Sequence, residues 1–238
     1  MTLFLKLLLS HFIGDFLFQP NSWVKDKEAN KLRSPKLYLH IGIHAVILLL
    51  LLSFDFSYWL GIFVILISHG AFDLLKIQLQ TPKNNRILFF IDQMLHIVVL
   101  LTVVFIYEPY AFQKIQINNS QLLLLVVVLI FVTQVSAIII KTIISKWNPQ
   151  TEDQDDDSLA KAGKFIGILE RLFVFGFAIT NHWEGIGFLI AAKSVFRFGD
   201  LKESKDRKLT EYILIGTLLS FGLAIGAALL YTHCYKQI

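Results

Sequence analysis

Apolar residues in this chain fall into long runs separated by charged or Pro/Gly-marked breaks. The runs predict helical segments over residues 2–18, 37–54, 58–78, 87–106, 121–144, 163–181, 186–199 and 212–231. A helix needs roughly 17–25 apolar residues to cross a hydrocarbon core, so the pattern predicts an all-α polytopic transmembrane bundle of about eight segments. Segment 2–18 is short, carries Lys6, His11 and Asp15 and ends at Gln19-Pro20, which also fits a re-entrant hairpin. Segment 186–199 is short too. The first segment has neither a basic n-region nor a small-x-small cleavage site, so it is expected to be retained.

Composition agrees with this picture: 55% of residues are hydrophobic and 17% charged, with a mean hydropathy of +0.61. A soluble enzyme or a secreted disulfide scaffold is excluded. Cys234, the single cysteine, rules out an internal disulfide, a thiolate metal site and a CxxC redox pair, so any metal ligands must be His and carboxylates. The net charge of +4 follows membrane topology rather than a nucleic-acid surface. With eight spans, Lys25, Lys27, Lys31, Arg33 and Lys36 share a side with Lys76, Lys83, Arg86, Lys141, Lys146 and the later loop bases up to Lys208, while Lys114 and Lys236 keep the other. The basic loops are therefore expected in the cytoplasm and both termini outside. The run Thr151-Glu152-Asp153-Gln154-Asp155-Asp156-Asp157 reads as a solvated cytoplasmic loop, because like charges cannot bury together.

Four pairs of residues spaced by four stand out within the apolar runs: His11/Asp15, His40/His44, His69/Asp73 and Asp92/His96. This spacing stacks two side chains on one helix face about 5–6 Å apart, so one helix can offer two ligands to one ion. His11 lies eight residues before Gln19, His44 eight after Lys36, His69 nine before Gln78 and His96 ten after Arg86. At 1.5 Å rise per residue each sits roughly 12–15 Å from the same membrane edge. Four helices can thus converge eight ligands at one depth. The pairs also recur. Ser10-His11-x-x-x-Asp15-x-Leu17 returns 58 residues on as Ser68-His69-x-x-x-Asp73-x-Leu75, and His40-x-x-x-His44 aligns with Asp92-x-x-x-His96 at a shift of 52. The expected organisation is a metal-binding four-helix half at 1–106, with copies at 1–56 and 58–106 about a pseudo-twofold axis along the membrane normal. The fifth helix and acidic loop follow at 107–162, and the C-terminal helices at 163–238.

Ionisable groups inside a bilayer cost about 2.5–3.5 kcal/mol each on insertion scales, and a bound cation is the simplest compensation. Imidazole and carboxylate ligands without sulfur suit Zn²⁺, Mn²⁺ or Fe²⁺, and the expectation is two divalent ions, Zn²⁺ or Mn²⁺. A hydrogen-bonded polar relay is the other use of such a cluster. A b-type haem fits less well, because it does not call for the aspartates.

The C-terminal half adds Glu170 and Arg171 about two turns inside their segment, then Lys193 and Arg197 on one helix face, then Glu211. Arg presents a planar fork of donors and Lys a point charge, so Lys193 and Arg197 are candidates to hold a phosphate; both are also placed where bases snorkel to headgroups. Glu170 and Arg171 are the candidate catalytic residues. The spacings Gly163/Gly167 and Gly222/Gly226 predict close helix packing. His182 and His233 fall at the opposite membrane face and read as interfacial residues.

These motifs resemble the bacterial membrane family known as domain of unknown function (DUF) 3307. The resemblance rests on Ser10-His11-x-x-x-Asp15-Phe16, His40-x-x-x-His44, His69-x-x-x-Asp73, Gly167-x-Leu169-Glu170-Arg171 and Glu211-Tyr212, which span nearly the whole chain. The N-terminal His and Asp pairs are also similar to those of LexA-regulated inner-membrane metal-dependent hydrolases, the YdjM-like proteins. That similarity implies a metal-dependent hydrolase on a helical scaffold in the bacterial inner membrane, with ligand roles for His11, Asp15, His40, His44, His69, Asp73, Asp92 and His96.

The function expected is hydrolysis of a phosphoester, in a lipid or a phosphorylated small molecule, at a cytoplasm-facing two-metal site, with membrane lipids as partners and no nucleic acid. The alternative is a divalent-cation or proton transporter or channel built on the same cluster. Transport needs access from both faces, and the polar groups lie mainly in one leaflet. The chain has no GxSxG elbow, P-loop or GxGxxG motif, so neither a serine hydrolase nor a nucleotide-driven pump is expected.

Overall fold

A computed structural model describes the backbone over residues 1–110, 120–147, 157–198 and 204–236, and no strand occurs among the described residues. The acidic run that begins at Thr151, Lys114 and the Arg197 side chain lie outside the described residues. The chain divides into two compact units, Met1–Val127 and Val128–Gln237.

In the first unit, α1 (Thr2–Phe12) runs into a π-helical turn at Ile13–Leu17. Pro20 then redirects the chain into α2 (Asn21–Asn30), whose direction, with the 3₁₀ turn that follows it, is bent by 84° from the first helix. Residues 19–36, expected as a basic loop, therefore hold a helix. Its end is tied by Asp26, which accepts from Asn30 Nδ2 at 2.8 Å and from Ser34 Oγ at 2.5 Å. α3 (Pro35–Leu51) starts with Pro35 in the first turn, where its missing N–H costs nothing. Ser53 and Phe54 at φ 57° and 56° close α3, and the chain returns through Asp55, whose carboxyl is held below its usual range by the bonds from Ser57. α4 (Trp59–Leu79) and α5 (Asn85–Tyr107) follow.

Contacts run from α1 to α3, α3 to α4, α4 to α5 and α5 back to α1, a closed ring of four helices, with α2 resting on α3 and α4. The ring is layered by helical periodicity. His11, His44, His69 and His96 form one layer. Four residues away along each helix, on one side, stand Asp15, His40, Asp73 and Asp92; on the other stand Leu7, Leu48, Ile65 and Leu100. The aliphatic layer opens the hydrophobic core, which continues through Leu3, Leu52, Ile62, Val103 and Val104.

In the second unit a π-helical turn at Phe131–Val135 joins α6 (Ser120–Ile130), where the division between units falls, to α7 (Ser136–Ile144). α8 (Asp157–Ile179), α9 (Trp183–Phe198) and α10 (Ser204–Lys236) complete it, with α8 against α9, and α10 against α7 and α8. A Cβ built on Gly163, Gly222 or Gly226 meets nothing within 4 Å, so the close helix packing expected there is absent among the described residues.

Four helices are long and apolar enough to cross a membrane: Phe56–Leu79, Asn85–Tyr107, Gln121–Trp147 and Glu211–Lys236. The bent pair Thr2–Leu17 and Asn21–Arg33 makes a fifth if it counts as one broken span or a re-entrant loop. α3 is a shorter apolar helix, and α8 and α9 are not among the four. The described residues thus mark a helical membrane protein with fewer qualifying spans than the eight apolar runs suggest, because α3 and α9, at 17 and 16 residues, are too short and α8 carries Lys164, Glu170 and Arg171.

Candidate metal centre

The ring of α1, α3, α4 and α5 buries five imidazoles and three carboxylates. Asp15 is their focus, and its two oxygens face different partners. Asp15 Oδ1 lies 2.9 Å from His44 Nε2, 3.2 Å from His40 Nε2 and 3.5 Å from His69 Nε2, and the His40 and His69 Nε2 atoms are 3.0 Å apart. A tetrahedral site with metal bonds of about 2.0–2.1 Å has edges of about 3.3–3.4 Å. The measured spacings match that frame, so Asp15, His40, His44 and His69 form a four-atom group that can hold an ion.

Asp15 Oδ2 looks the other way, toward His11 Nδ1 at 3.8 Å and Gln93 Nε2 at 3.3 Å. His11, Asp15 and His96 form a second group with three ligand atoms. Local bonds set its histidine tautomers. His11 Nε2–H donates to Gln93 Oε1 at 3.1 Å, which leaves the Nδ1 lone pair toward Asp15. His96 Nδ1–H donates to the Asp92 carbonyl at 2.8 Å, so its Nε2 carries a lone pair, and that buried atom has no protein partner. A buried acceptor with nothing to accept is what a ligand atom looks like before its ion.

The π-helical turn and Gly14 make this focus possible. A π turn holds more residues per turn than an α-helix, so Asp15 is displaced around the axis relative to a residue one α-turn beyond His11. Within the turn, a Cβ on Gly14 would lie 2.2 Å from His44 Nε2. Only a glycine lets the His44 ring come that close to α1.

Asp73 and Asp92, at ligand-like positions in the sequence, belong to neither group. Asp73 Oδ2 is 2.5 Å from Lys27 Nζ and 3.8 Å from His40 Nε2. Asp92 Oδ2 accepts from Lys76 Nζ at 2.8 Å and from Gln93 Nε2 at 3.2 Å, while its Oδ1, 3.8 Å from His96 Nδ1, is buried without a hydrogen-bond partner. With neutral imidazoles, three carboxylates against two ammonium groups leave one net negative charge, which favours a cation.

Four participants escaped the sequence reading: Lys27, Lys76, Gln93 and Gln19, whose amide nitrogen sits 3.0 Å from His40 Nε2. Lys76 had a signal, since it continues the face of His69 and Asp73 seven residues on. Gln93 sits three residues before His96 on the same helix. Lys27 had none, because it reads as one more loop base yet is buried at 3% exposure.

In the second unit, Glu170 pairs with Lys193 at 2.8 Å. The buried Arg171 donates to the carbonyls of Val132 at 2.5 Å and Thr133 at 2.9 Å and to Ser220 Oγ at 3.3 Å. Those carbonyls belong to the π turn, where the shifted ladder leaves backbone acceptors to be satisfied by other groups. Arg171 thus stabilises its own unit's backbone. His182 and His233 are exposed residues of this unit, outside the two ligand groups.

The family described as protein of unknown function (DUF3307) matches residues 3–126. The match ends within one residue of the first unit's boundary, so it covers the unit that holds both ligand groups and stops short of the C-terminal motifs. No curated protein and no solved structure matches the chain, and the similarity to LexA-regulated hydrolases has no counterpart in these comparisons. A match over more than half of the chain, centred on the buried His/Asp ring, places this protein in the DUF3307 family of unknown function.

Proposed function

We propose that the chain is a hydrolase of the bacterial inner membrane. In this reading its eight-segment bundle carries two divalent cations, Zn²⁺ or Mn²⁺, on the cytoplasmic side and cleaves a phosphoester in a lipid or a phosphorylated small molecule. The observation that carries it is the division of Asp15, one oxygen toward His40, His44 and His69 and the other toward His11. A carboxylate with each oxygen on its own ligand set is how two ions are held side by side. Bound there, divalent cations acidify a water and polarise a phosphoryl oxygen.

The chain's own residues supply the rest. With two divalent cations the net charge turns positive, which calls for an anionic substrate. Lys27 and Lys76 stand beside the cage as its basic groups, and this reading gives them the phosphate grip that the sequence suggested for Lys193 and Arg197. Asp92, whose Oδ1 accepts no hydrogen bond, takes the proton-handling role suggested for Glu170 and Arg171. As the water oxygen bonds to phosphorus and the ester P–O bond breaks, Asp92 accepts the water's proton and Lys76 protonates the leaving oxygen. The proton then returns from Asp92 to Lys76 across their 2.8 Å contact.

The rival reading is a transporter for divalent cations or protons. It needs a polar route onward from the cage, and the layer beyond the histidines is Leu7, Leu48, Ile65 and Leu100, followed by more buried aliphatic residues. That seal supports the enzyme.

The test is elemental analysis of detergent-purified protein, with hydrolysis assayed on p-nitrophenyl phosphate and phosphatidic acid. Two ions per chain, lost together in Asp15→Asn, and metal-dependent release of phosphate are expected. Metal-free folded protein refutes the reading. Bound metal without hydrolysis, together with cation flux in proteoliposomes, transfers it to the transporter.

A further inference from the structure

Between the histidine layer and the aliphatic layer lies a small cavity. It has room for about one water molecule. Leu7, Leu48 and Leu100 line one side, and Ser10, His11 and His96 line the other. Two buried polar atoms without partners belong to this lining, Ser10 Oγ and His96 Nε2. Ser10 is 1% exposed, so its hydroxyl has no access to bulk solvent.

The recurring serine makes the unpartnered Ser10 hydroxyl informative. Ser68 precedes His69 as Ser10 precedes His11, and it also borders the cavity. Its hydroxyl is engaged by its own helix, donating to the carbonyls of Val64 at 2.7 Å and Ile65 at 3.1 Å. Ser10 has the same local option in α1 and does not use it. A buried hydroxyl that forgoes its backbone partner beside a water-sized space is satisfied by an ordered molecule there.

The two ligand groups are also unequal. Asp15, His40, His44 and His69 supply four atoms, a complete tetrahedral set, whereas His11, Asp15 and His96 supply three. Three protein ligands with one open position is the arrangement of reactive rather than structural sites. His11 and His96 border the cavity, as do His44 and His69, and the lysines contact the carboxylates of the opposite layer.

We propose that the cavity seats one water molecule, that Ser10 is the positioning residue that holds it, and that this water completes the three-ligand group. The last clause rests on the function proposed above; the seat itself does not.

The test uses the full-length protein loaded with Mn²⁺ in ¹⁷O-enriched water. Electron paramagnetic resonance is expected to detect a bound water oxygen in the wild type. The signal is lost in Ser10→Val, whose methyl groups fill the cavity, with manganese content unchanged, and is kept in Ser68→Val. A Ser10→Val protein that keeps both its manganese and the oxygen signal overturns the proposal. If the wild type takes up neither manganese nor zinc, the hydrolase reading fails by itself. The seat is then judged on an experimental density map of the metal-free protein. Water between Ser10 and His96 sustains it; an empty or side-chain-filled space overturns it.

Discussion

The sequence writes Ser-His-x-x-x-Asp-x-Leu twice, in α1 and in α4, and the fold puts the two copies to different uses. In α4 the helix stays regular through His69 and Asp73, position 72 is Phe, packed edge-on against His96, and Asp73 is neutralised by Lys27. In α1 the helix loosens into a π turn after Phe12, the equivalent of Phe72 is Gly14, and the His44 ring occupies the space a side chain would take. Asp15 thereby reaches three histidines of two neighbouring helices. Identical ligand spacing thus fixes which face a residue occupies, while the local backbone and one missing Cβ decide whether its carboxylate serves an ion or an ammonium group.

The comparison breaks most completely at the carboxylates. Asp15→Asn is expected to take the protein from two bound ions to none, because both groups share that residue, whereas Asp73→Asn keeps both; elemental analysis of the two variants decides it. Next in size is the counter-charge. Lys27→Met leaves Asp73 buried and unpaired, and loss of one partner of a buried pair costs about 3–5 kcal/mol. Denaturation in detergent should show that loss, with most of the stability returning in the Lys27→Met/Asp73→Asn double variant. A single variant as stable as the wild type would mean that the Lys27–Asp73 pair carries no weight.

Smaller effects sharpen the role of the π turn. Gly14→Ala forces the His44 ring away and should destabilise by about 1–3 kcal/mol, as overpacking does, and should weaken the Asp15–His40–His44–His69 group. Gly42→Ala, on the neighbouring helix with open space around it, is the control and should be neutral or stabilising by up to about 1 kcal/mol. Equal melting shifts for the two glycines would remove close approach as the reason for Gly14. The mildest change is Gln93→Leu, which frees His11 to turn; a supporting residue of this kind is typically worth tenfold or more in metal affinity, read by competition with a chelator. An unchanged affinity would show that packing alone orients His11.

Much of the first unit was legible in the chain. Apolar runs at 58–78 and 87–106 became α4 (Trp59–Leu79) and α5 (Asn85–Tyr107), because a membrane-length apolar stretch has few alternatives to a helix. The spacing-four pairs placed their side chains in two layers for the same reason, since helical periodicity is local. Residues 21–30 were not legible as a helix, because their polar sequence carries no apolar stripe. Nor did Lys27 stand out among the loop bases, as its burial depends on α2 folding back over α3 and α4. In the second unit the sequence marked Arg171 as an internal charge but not its contacts with the carbonyls of a π turn, which depend on how α8 packs.

By itself the sequence determined that this is a helical membrane protein and that its histidines and aspartates share helix faces. These properties depend on composition and on 3.6-residue periodicity. Tertiary structure decided the partners: Asp15 to the histidines, Asp73 to Lys27, Asp92 to Lys76, and Ser10 to a cavity rather than to its own helix. Partner choice turns on ångström-scale approach between helices, and that depends on the π turn, on Gly14 and on the bend that brings α2 over the ring, none of which spacing along a single helix specifies.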